Sequence, residues 1–264
     1  MYKEYLDFAK QIAYMAGDIM QKYTKEDNGA SYKQDNTIVT KADTEINSLV
    51  ISMVKNTYPN HSVDGEEEQF GKSNYVWVCD PVDGTAMFAR KIPVSVFSLA
   101  LVIDGTPVVG VIYDPWSNHL YYAAKNYGAY CNSYPITVNN MSFEDMKSVS
   151  HYDMFPASEY NIFDAIKELG KKGYFTSIGS VARACTCVAN GDFNIAIFPG
   201  TKHKNCDIAA AKIIVEEAGG IVTDLFGNEQ RYDQSINGAI VSNKIVHGEV
   251  VELMKKHLKN KKGE

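Results

Sequence analysis

The stretch VWVCDPVDGTAMF, residues 76–88, contains the turn from which the rest of the fold can be worked out. Its first four residues have strand character, and they place Asp80 at the exit of a buried strand. Pro81 lacks a backbone N–H and so helps to end strand pairing there. A tight turn is predicted at Asp83 and the glycine after it. The sequence therefore sets two carboxylates on one turn, beside a threonine hydroxyl.

Two carboxylates on one turn repel each other unless a positive charge lies between them. A hard divalent cation meets that need, because carboxylate and carbonyl oxygens are ligands that suit magnesium. The same pattern also fits an Asx turn followed by a helix N-cap, without any ion. The turn alone leaves both interpretations open.

Two further acidic stretches favour the metal interpretation. The stretch VDGEEEQF, residues 63–70, contains three consecutive glutamates, which are typical of a solvated surface, yet it follows a β-like approach and closely precedes Asp80. In NCDIAAAKIIVEEAGG, residues 205–220, Asp207 begins an alanine-rich helix, where it is either an N-cap or an ion ligand. Free N–H groups at such a helix end can also bind an anion.

Composition excludes several classes of protein. The 264 residues are 45% hydrophobic and 22% charged, which is typical of a globular chain. A net charge of −6 gives no general attraction for nucleic acid or acidic membranes. The N-terminus lacks an apolar signal core and no apolar run could span a bilayer, so we expect a soluble, cytoplasmic protein without a targeting segment. Five cysteines without a C-x-x-C spacing indicate reduced thiols.

Periodicity predicts an α/β chain of two lobes, 1–134 and 135–264, with a cleft between them. The first lobe is α+β with antiparallel strands, and the second alternates strands and helices. We predict a helix over 2–26, a strand at 37–40 and a helix capped near Asp43 and Thr44, β runs through 75–131 with a hairpin at Asp104–Gly105, helices at 161–169, after Asp207 and at 246–258, and strands at 195–198, 221–224 and 239–242.

Three motifs together resemble those of the inositol monophosphatase family, which are lithium-sensitive, magnesium-dependent phosphomonoesterases. They are GEEE at 65–68, DPVDGTAMF at 80–88 and CDIAAAKIIVEEAGG at 206–220, and their order and spacing match. The resemblance extends over nearly the whole chain. It implies a layered α-β-α-β-α sandwich of the sugar phosphatase type, a homodimer, and hydrolysis of a small phosphorylated metabolite.

The resemblance also implies a set of metal ligands. Glu66, Asp80 and the backbone carbonyl of Val82 would hold one magnesium ion. Asp80, Asp83 and Asp207 would hold a second, and a third, weaker ion would lie near Glu66. The four carboxylates carry four negative charges, which two magnesium ions neutralise before a phosphate dianion enters.

Catalytic and substrate-binding roles follow from the same resemblance. Thr85 would orient the attacking water, Asp43 of the TKAD stretch would support Thr85, and Glu66 would also take part in catalysis. The segment 177–191 would meet the organic part of the substrate. The substrate contacts that the resemblance implies are Asp83, Gly84, Thr85, Gly179, Ser180 and Asp207. The sequence of this chain adds Arg183, Lys202 and Lys204 as candidate contacts.

The chain departs from the family pattern where the substrate would bind. Cys206 replaces a tryptophan, and Met87 replaces an asparagine. The stretch FPGTKHKNCD, residues 198–207, lacks the glutamate that contacts inositol hydroxyls in animal members. Its Lys202 and Lys204 belong either to a solvated loop or to a pocket that accepts extra negative charge. We expect an inositol monophosphatase of broad specificity. The alternative is a phosphatase that acts mainly on a more highly charged substrate, namely NADP at its 2′-phosphate, fructose 1,6-bisphosphate or an adenosine bisphosphate.

Two other functions fit parts of the sequence. A haloacid-dehalogenase-type phosphatase forms a phosphoaspartate and needs D-x-D-G-T, but Pro81 stands where the first aspartate of that motif belongs. A non-catalytic sensor of magnesium or of a phosphorylated metabolite would need the same ligands. Phosphate release distinguishes an enzyme from such a sensor.

Overall fold

The computed structural model describes residues 2–34, 36–145, 149–153, 160–200, 205–236 and 238–260. The helices within these ranges are α1 Lys3–Lys25, α2 Lys41–Thr57, α3 Thr85–Phe88, α4 Phe163–Leu169, α5 Val181–Ala189, α6 Asn205–Glu217 and α7 His247–His257. The strands are β1 Ser31–Tyr32, β2 Ile38–Val39, β3 Ser62–Gly65, β4 Gln69–Phe70, β5 Tyr75–Asp83, β6 Val96–Ile103, β7 Thr106–Asp114, β8 His119–Ala124, β9 Gly128–Cys131, β10 Tyr134–Pro135, β11 Val149–Tyr152, β12 Tyr160–Asn161, β13 Tyr174–Thr176, β14 Ile195–Phe198, β15 Ile221–Thr223, β16 Ala239–Ser242 and β17 Lys259–Asn260.

The described strands form two main sheets. The first has eight strands in the order β10-β9-β8-β7-β6-β5-β3-β4, and its β3–β5 pair is parallel while the other pairs are antiparallel. The second has five strands in the order β13-β11-β14-β16-β15 and is mixed. Short pairs β1–β2 and β12–β17 lie outside both sheets.

Side-chain alternation along the strands builds five layers. On β5, Trp77 and Cys79 belong to the apolar cluster formed with α1 and α2, whereas Val78 belongs to the cluster formed with α5, α6 and the second sheet. Neighbouring residues of a strand point to opposite faces, so one strand serves both clusters. The far face of the second sheet packs on α4 and α7. The predicted α-β-α-β-α sandwich is confirmed.

The strand that carries the first two aspartates is longer than predicted. Strand β5 continues through Asp83, which pairs with Val96, and the register shifts between Asp80 and Asp83. The prediction that the strand ends at Asp80 was therefore wrong. Pro81 cannot donate to the ladder, and a bulge absorbs this local loss before pairing resumes.

The N-cap of helix α2 lies three residues before Asp43, where the cap was predicted. Thr40 is the N-cap, and Asp43 is the third helical residue of a capping box. The Asp43 carboxylate accepts a hydrogen bond of 2.8 Å from the Thr40 N–H and another from the Thr40 hydroxyl. A carboxylate in the first turn stabilises the exposed N–H groups of a helix, so its position inside the helix is favourable.

The hairpin at Asp104–Gly105, the N-terminal helix and the predicted strands of the second half are present. The division into two lobes at residue 134 stays a prediction. One apolar cluster contains residues from both sides of that boundary, so the two halves share part of their core. Among the helices that are described, none combines the length and hydropathy needed to cross a membrane.

Candidate active site

The turn after β5 is stabilised by a hydrogen bond to Asp80 and requires a glycine at position 84. Asp80 Oδ1 accepts a hydrogen bond of 3.0 Å from the Val82 N–H. Gly84 has φ +88°, and a Cβ there would lie 2.8 Å from the carbonyl oxygen of Gly179. Both the left-handed backbone and the close approach therefore require glycine. Asp80 and Asp83 are 2% and 4% exposed, so the turn presents both acids inside the protein.

Helix α5 holds the Asp83 carboxylate at its N-terminus. The Ser180 hydroxyl donates to Asp83 Oδ2, and the N–H groups of Val181 and Ala182 donate over 3.2 and 2.8 Å. These are N–H groups that the helix itself leaves without partners, and the helix dipole favours a negative charge there. Ser180 was predicted to contact substrate; in the structure its hydroxyl orients Asp83.

The start of α6 is tied to the first sheet by two polar side chains. Asn205 Nδ2 donates to Asp64 Oδ2 over 2.8 Å and to the Tyr232 carbonyl over 3.1 Å. The Ser98 hydroxyl on β6 donates to the Cys206 carbonyl over 3.3 Å. Asp207, in the first turn of α6, is therefore fixed beside the strands and is 2% exposed.

These elements bring side chains from distant parts of the chain into two groups. One carboxylate oxygen each from Asp80, Asp83 and Asp207 lie within 4.8 Å of one another. The second group has the same spacing and contains Glu66, Asp80 and the Cys206 thiol. Buried carboxylates this close repel one another unless protons or cations intervene. The oxygen donors fit magnesium, and Asp80 belongs to both groups.

The Glu66 turn is built around an asparagine that the sequence analysis missed. Asn47 Nδ2 donates to the Glu68 carbonyl over 3.1 Å, and its Oδ1 accepts from the Glu67 N–H over 3.3 Å. A Cβ on Gly65 would lie 2.2 Å from Asn47 Oδ1, so this packing also needs glycine. Asn47 follows Asp43 by one helical turn, and a pair of polar residues at that spacing on a buried face was the available signal.

Lys33 places a positive charge beside the same turn and was not predicted either. Its Nζ lies 2.5 Å from Glu67 Oε1 and 3.8 Å from Glu66 Oε1. Burial lowers the pKa of Lys33, but the Glu67 hydrogen bond and the nearby carboxylates Glu66, Glu67 and Asp43 outweigh that effect and raise it. Lys33 therefore stays charged and neutralises part of the acidic turn.

Thr85 and Asp43 form the predicted pair. The Thr85 hydroxyl lies 3.2 Å from Asp43 Oδ1 and 2.9 Å from the Val82 carbonyl oxygen. Burial raises the pKa of Asp43 to about 6, against the lowering effect of the Thr40 hydrogen bonds, and Glu67 and Glu66 raise it further. A carboxylate with this pKa can accept a proton near neutral pH.

The remaining predicted substrate contacts are Gly179, Arg183, Lys202 and Lys204. Gly179 has φ +84° and packs against Met87, close to the Gly84 turn. The Arg183 guanidinium contacts the Tyr121 hydroxyl at 3.2 Å and Asp114 at 3.5 Å, so it has partners within the protein. Lys202 and Lys204 lie outside the described residues. The roles assigned to these side chains stay predictions.

The layered fold brings the carboxylates of two motifs on the first sheet together with Asp207 at the start of α6. This is the architecture of a metal-dependent phosphatase. The chain belongs to the inositol monophosphatase family, because the profile of that family matches residues 1–259. Its members are phosphomonoester hydrolases that act on small phosphorylated substrates with the help of metal ions. The predicted enzyme class is confirmed.

Individual relatives carry more than one name. The fructose-1,6-bisphosphatase/inositol-1-monophosphatase of Thermotoga maritima is 31% identical over 253 residues, which cover 94% of this chain and 95% of the relative. Nus factor SuhB of Escherichia coli (strain K12) is 32% identical over 251 residues, covering 90% of each chain. The solved structure of a Thermotoga maritima IMPase has a TM-score of 0.85 and 27% identity, covering 96% of this chain and 97% of that chain.

Proposed function

We propose that the chain hydrolyses small phosphomonoesters by direct attack of water, with magnesium ions held by five residues. These are Glu66, Asp80, the carbonyl of Val82, Asp83 and Asp207. The observation that carries the proposal is that Asp80 belongs to both groups of converging ligand atoms. One shared carboxylate can keep two cations close together, which is the arrangement that phosphoryl transfer uses.

Each part of the chain has a defined task in this reaction. When bound, magnesium supplies Lewis-acid chemistry, making water more acidic and neutralising phosphoryl charge. The N-terminus of α5 fixes Asp83, and α6 fixes Asp207, so the ligand positions are set in advance. Because positioning and charge neutralisation dominate phosphate ester hydrolysis, no protein group needs to be phosphorylated.

In this proposal Thr85 holds the attacking water. Its hydroxyl proton can go to either Asp43 Oδ1 or the Val82 carbonyl oxygen, which lie 3.2 and 2.9 Å away. When the Thr85 hydroxyl donates its hydrogen bond to Asp43, a lone pair of the Thr85 oxygen can accept a hydrogen bond from water. The proton that the water loses would pass to the Thr85 oxygen while the Thr85 hydroxyl proton passes to Asp43, which can hold it because its pKa is about 6.

We infer broad specificity that covers inositol monophosphate and at least one more highly charged substrate. A relative named both fructose-1,6-bisphosphatase and inositol-1-monophosphatase supports this choice. So does the sequence, because residues 198–207 contain lysines and no acid before Asp207. Homodimer formation and lithium sensitivity stay predictions that rest on the family, and a cytoplasmic location stays a prediction that rests on the sequence.

The test measures phosphate release from inositol 1-phosphate, fructose 1,6-bisphosphate, NADP and adenosine 3′,5′-bisphosphate, with and without magnesium. We expect turnover of several substrates, loss of activity with EDTA, and inhibition by lithium. Trapping a phosphorylated protein during turnover would refute direct attack by water. Activity on a single substrate only would refute broad specificity.

A second candidate function is regulatory binding of a macromolecular partner. It is favoured by the 32% identity to a protein named Nus factor SuhB. The absence of phosphate release from every substrate, together with tight magnesium binding, would favour this candidate. Turnover at rates typical of enzymes, about 1 s⁻¹ or more, would favour the phosphatase.

A further inference from the structure

Cys206 brings a sulfur atom to the carboxylates of the site. It is the second residue of α6 and is 3% exposed. Its Sγ lies within 4.8 Å of a carboxylate oxygen of Glu66 and of one from Asp80, and it contacts Asp207 Oδ1 at 3.3 Å. The thiol therefore has three carboxylates around it, all of which belong to the proposed metal ligands.

The other cysteines do not share this position. All five are free thiols. Cys79 also precedes a metal-ligand aspartate, but its side chain packs in the apolar cluster of α1 and α2 on the opposite face of the first sheet. Cys185 and Cys187 lie within α5, and Cys131 lies half-buried on β9. The two groups of converging ligand atoms contain Cys206 and no other thiol of the described chain.

A sulfur donor changes which cations a site prefers. Magnesium takes oxygen ligands in near-octahedral geometry, whereas zinc and other soft divalent cations bind thiolates strongly. We propose that Glu66, Asp80 and Cys206 form a mixed oxygen–sulfur site for a thiophilic divalent cation, with Cys206 determining the preference. This proposal deepens the proposed function, because it concerns the same carboxylates that would hold magnesium.

Competition between cations follows from the shared ligands. A thiophilic ion on Glu66 and Asp80 excludes magnesium from the same oxygens, so zinc or cadmium inhibits magnesium-dependent turnover. The thiol loses its proton when it binds the ion, as cysteine ligands do. Replacing Cys206 should therefore reduce inhibition by zinc and change the response to magnesium much less.

The direct test titrates the metal-free protein with Cd²⁺ and records the ultraviolet sulfur-to-cadmium charge-transfer band, a readout that does not depend on catalysis. We expect the band to saturate with one equivalent of Cd²⁺. Cys206→Ala and Cys206→Ser should both abolish it and weaken Cd²⁺ binding by at least about tenfold. Magnesium affinity, measured by calorimetry, should change by less than about threefold, because magnesium prefers oxygen ligands.

Matched controls separate this site from other thiols. Cys131→Ser removes the half-buried thiol, and Cys79→Ala removes the buried thiol that also precedes an aspartate; both variants should keep the band. A wild-type protein without the band, or a band that survives in Cys206→Ala, overturns the proposal. The proposed function is judged separately by phosphate release, so a band without turnover refutes the phosphatase and leaves the mixed site standing.

Discussion

The two acidic turns of the site are stabilised in different ways. Asp83 is 4% exposed and is held by the Ser180 hydroxyl and two N–H groups of α5. The side chains of Glu66 and Glu67 are 22% and 13% exposed, and both lie beside the ammonium group of Lys33. The Asp83 carboxylate is fixed by backbone donors and a serine hydroxyl, whereas the negative charges of Glu66 and Glu67 are offset by a lysine side chain.

The difference indicates a division of labour within one site. Backbone donors at a helix end cannot move without unfolding the helix, so the Asp80–Asp83 turn has its geometry before any ion binds. A lysine side chain is flexible and can leave when a cation arrives. We therefore expect changes in the Asp80–Asp83 turn to affect catalysis strongly, and changes around Glu66 and Glu67 to act mainly on ion occupancy.

The largest effect is expected from Asp80→Asn. This change removes a charge from both groups of ligand atoms, so phosphate release should fall by at least about a thousandfold. Glu67→Gln in the other turn should cost less than about tenfold, because Glu67 belongs to neither group. Steady-state kinetics with metal content verified checks both values, and equal losses in the two variants would contradict the division of labour.

Thr85→Ala and Asp43→Asn should each lower kcat by about 10- to 100-fold while changing KM little, because they act on the water. Since the two groups act through one hydrogen bond, the double variant should be little slower than the slower single variant. Kinetic constants of all three variants test this. Additive losses would show that Thr85 and Asp43 contribute independently.

Asp43→Asn should also make the metal-free protein more stable at pH 8. The pKa of Asp43 is about 6 in the fold and about 3.9 in an unfolded chain, so the fold favours the neutral form and loses stability as pH rises through 6. The isosteric amide avoids that loss, which is roughly 3 kcal/mol. Urea unfolding at pH 8 and pH 4 checks it; the gain should vanish at pH 4, and a gain that is independent of pH would exclude titration as the cause.

Ser180→Ala tests whether α5 fixes Asp83. The hydroxyl donates to Asp83 and accepts from the Arg183 N–H over 3.2 Å, so its loss should weaken magnesium binding about tenfold. The lost N-cap should also cost about 1 kcal/mol of stability. Ser180→Thr keeps the hydroxyl and should restore both. Calorimetry and thermal unfolding provide the measurements, and a stability loss without a change in metal affinity would restrict Ser180 to capping.

The smallest effect is expected from Lys33→Gln. Removing the ammonium group beside Glu66 and Glu67 should tighten magnesium binding by about threefold at low salt, because partly exposed charges interact weakly and are screened. Lys41→Gln is the control, since the Lys41–Asp27 pair is exposed. Magnesium titrations at two salt concentrations test the change. Weaker binding in Lys33→Gln would show that Lys33 supports the site instead of competing for it.

Local sequence patterns correctly predicted the elements whose structure depends on residues close together in the chain. The helical stripe of α1 and the Asp104–Gly105 hairpin depend on periodicity, on glycine and on short-range geometry. The end of β5 was missed because a bulge that restores pairing depends on the neighbouring strand β6. The cap of α2 was missed although its capping box, Thr40 with Asp43, is a local pattern that the sequence displays.

The sequence by itself indicated the layered α/β fold and the candidate ligands Glu66, Asp80, Asp83 and Asp207, because three motifs at 65–68, 80–88 and 206–220 resemble those of the family in order and spacing. Only the tertiary structure decided that α5 holds Asp83, that Asn47 and Lys33 serve the Glu66 turn, and that Cys206 faces the carboxylates. These contacts join residues far apart in the chain. Sequence patterns report which face a side chain occupies, whereas packing between layers decides which distant side chains share that face.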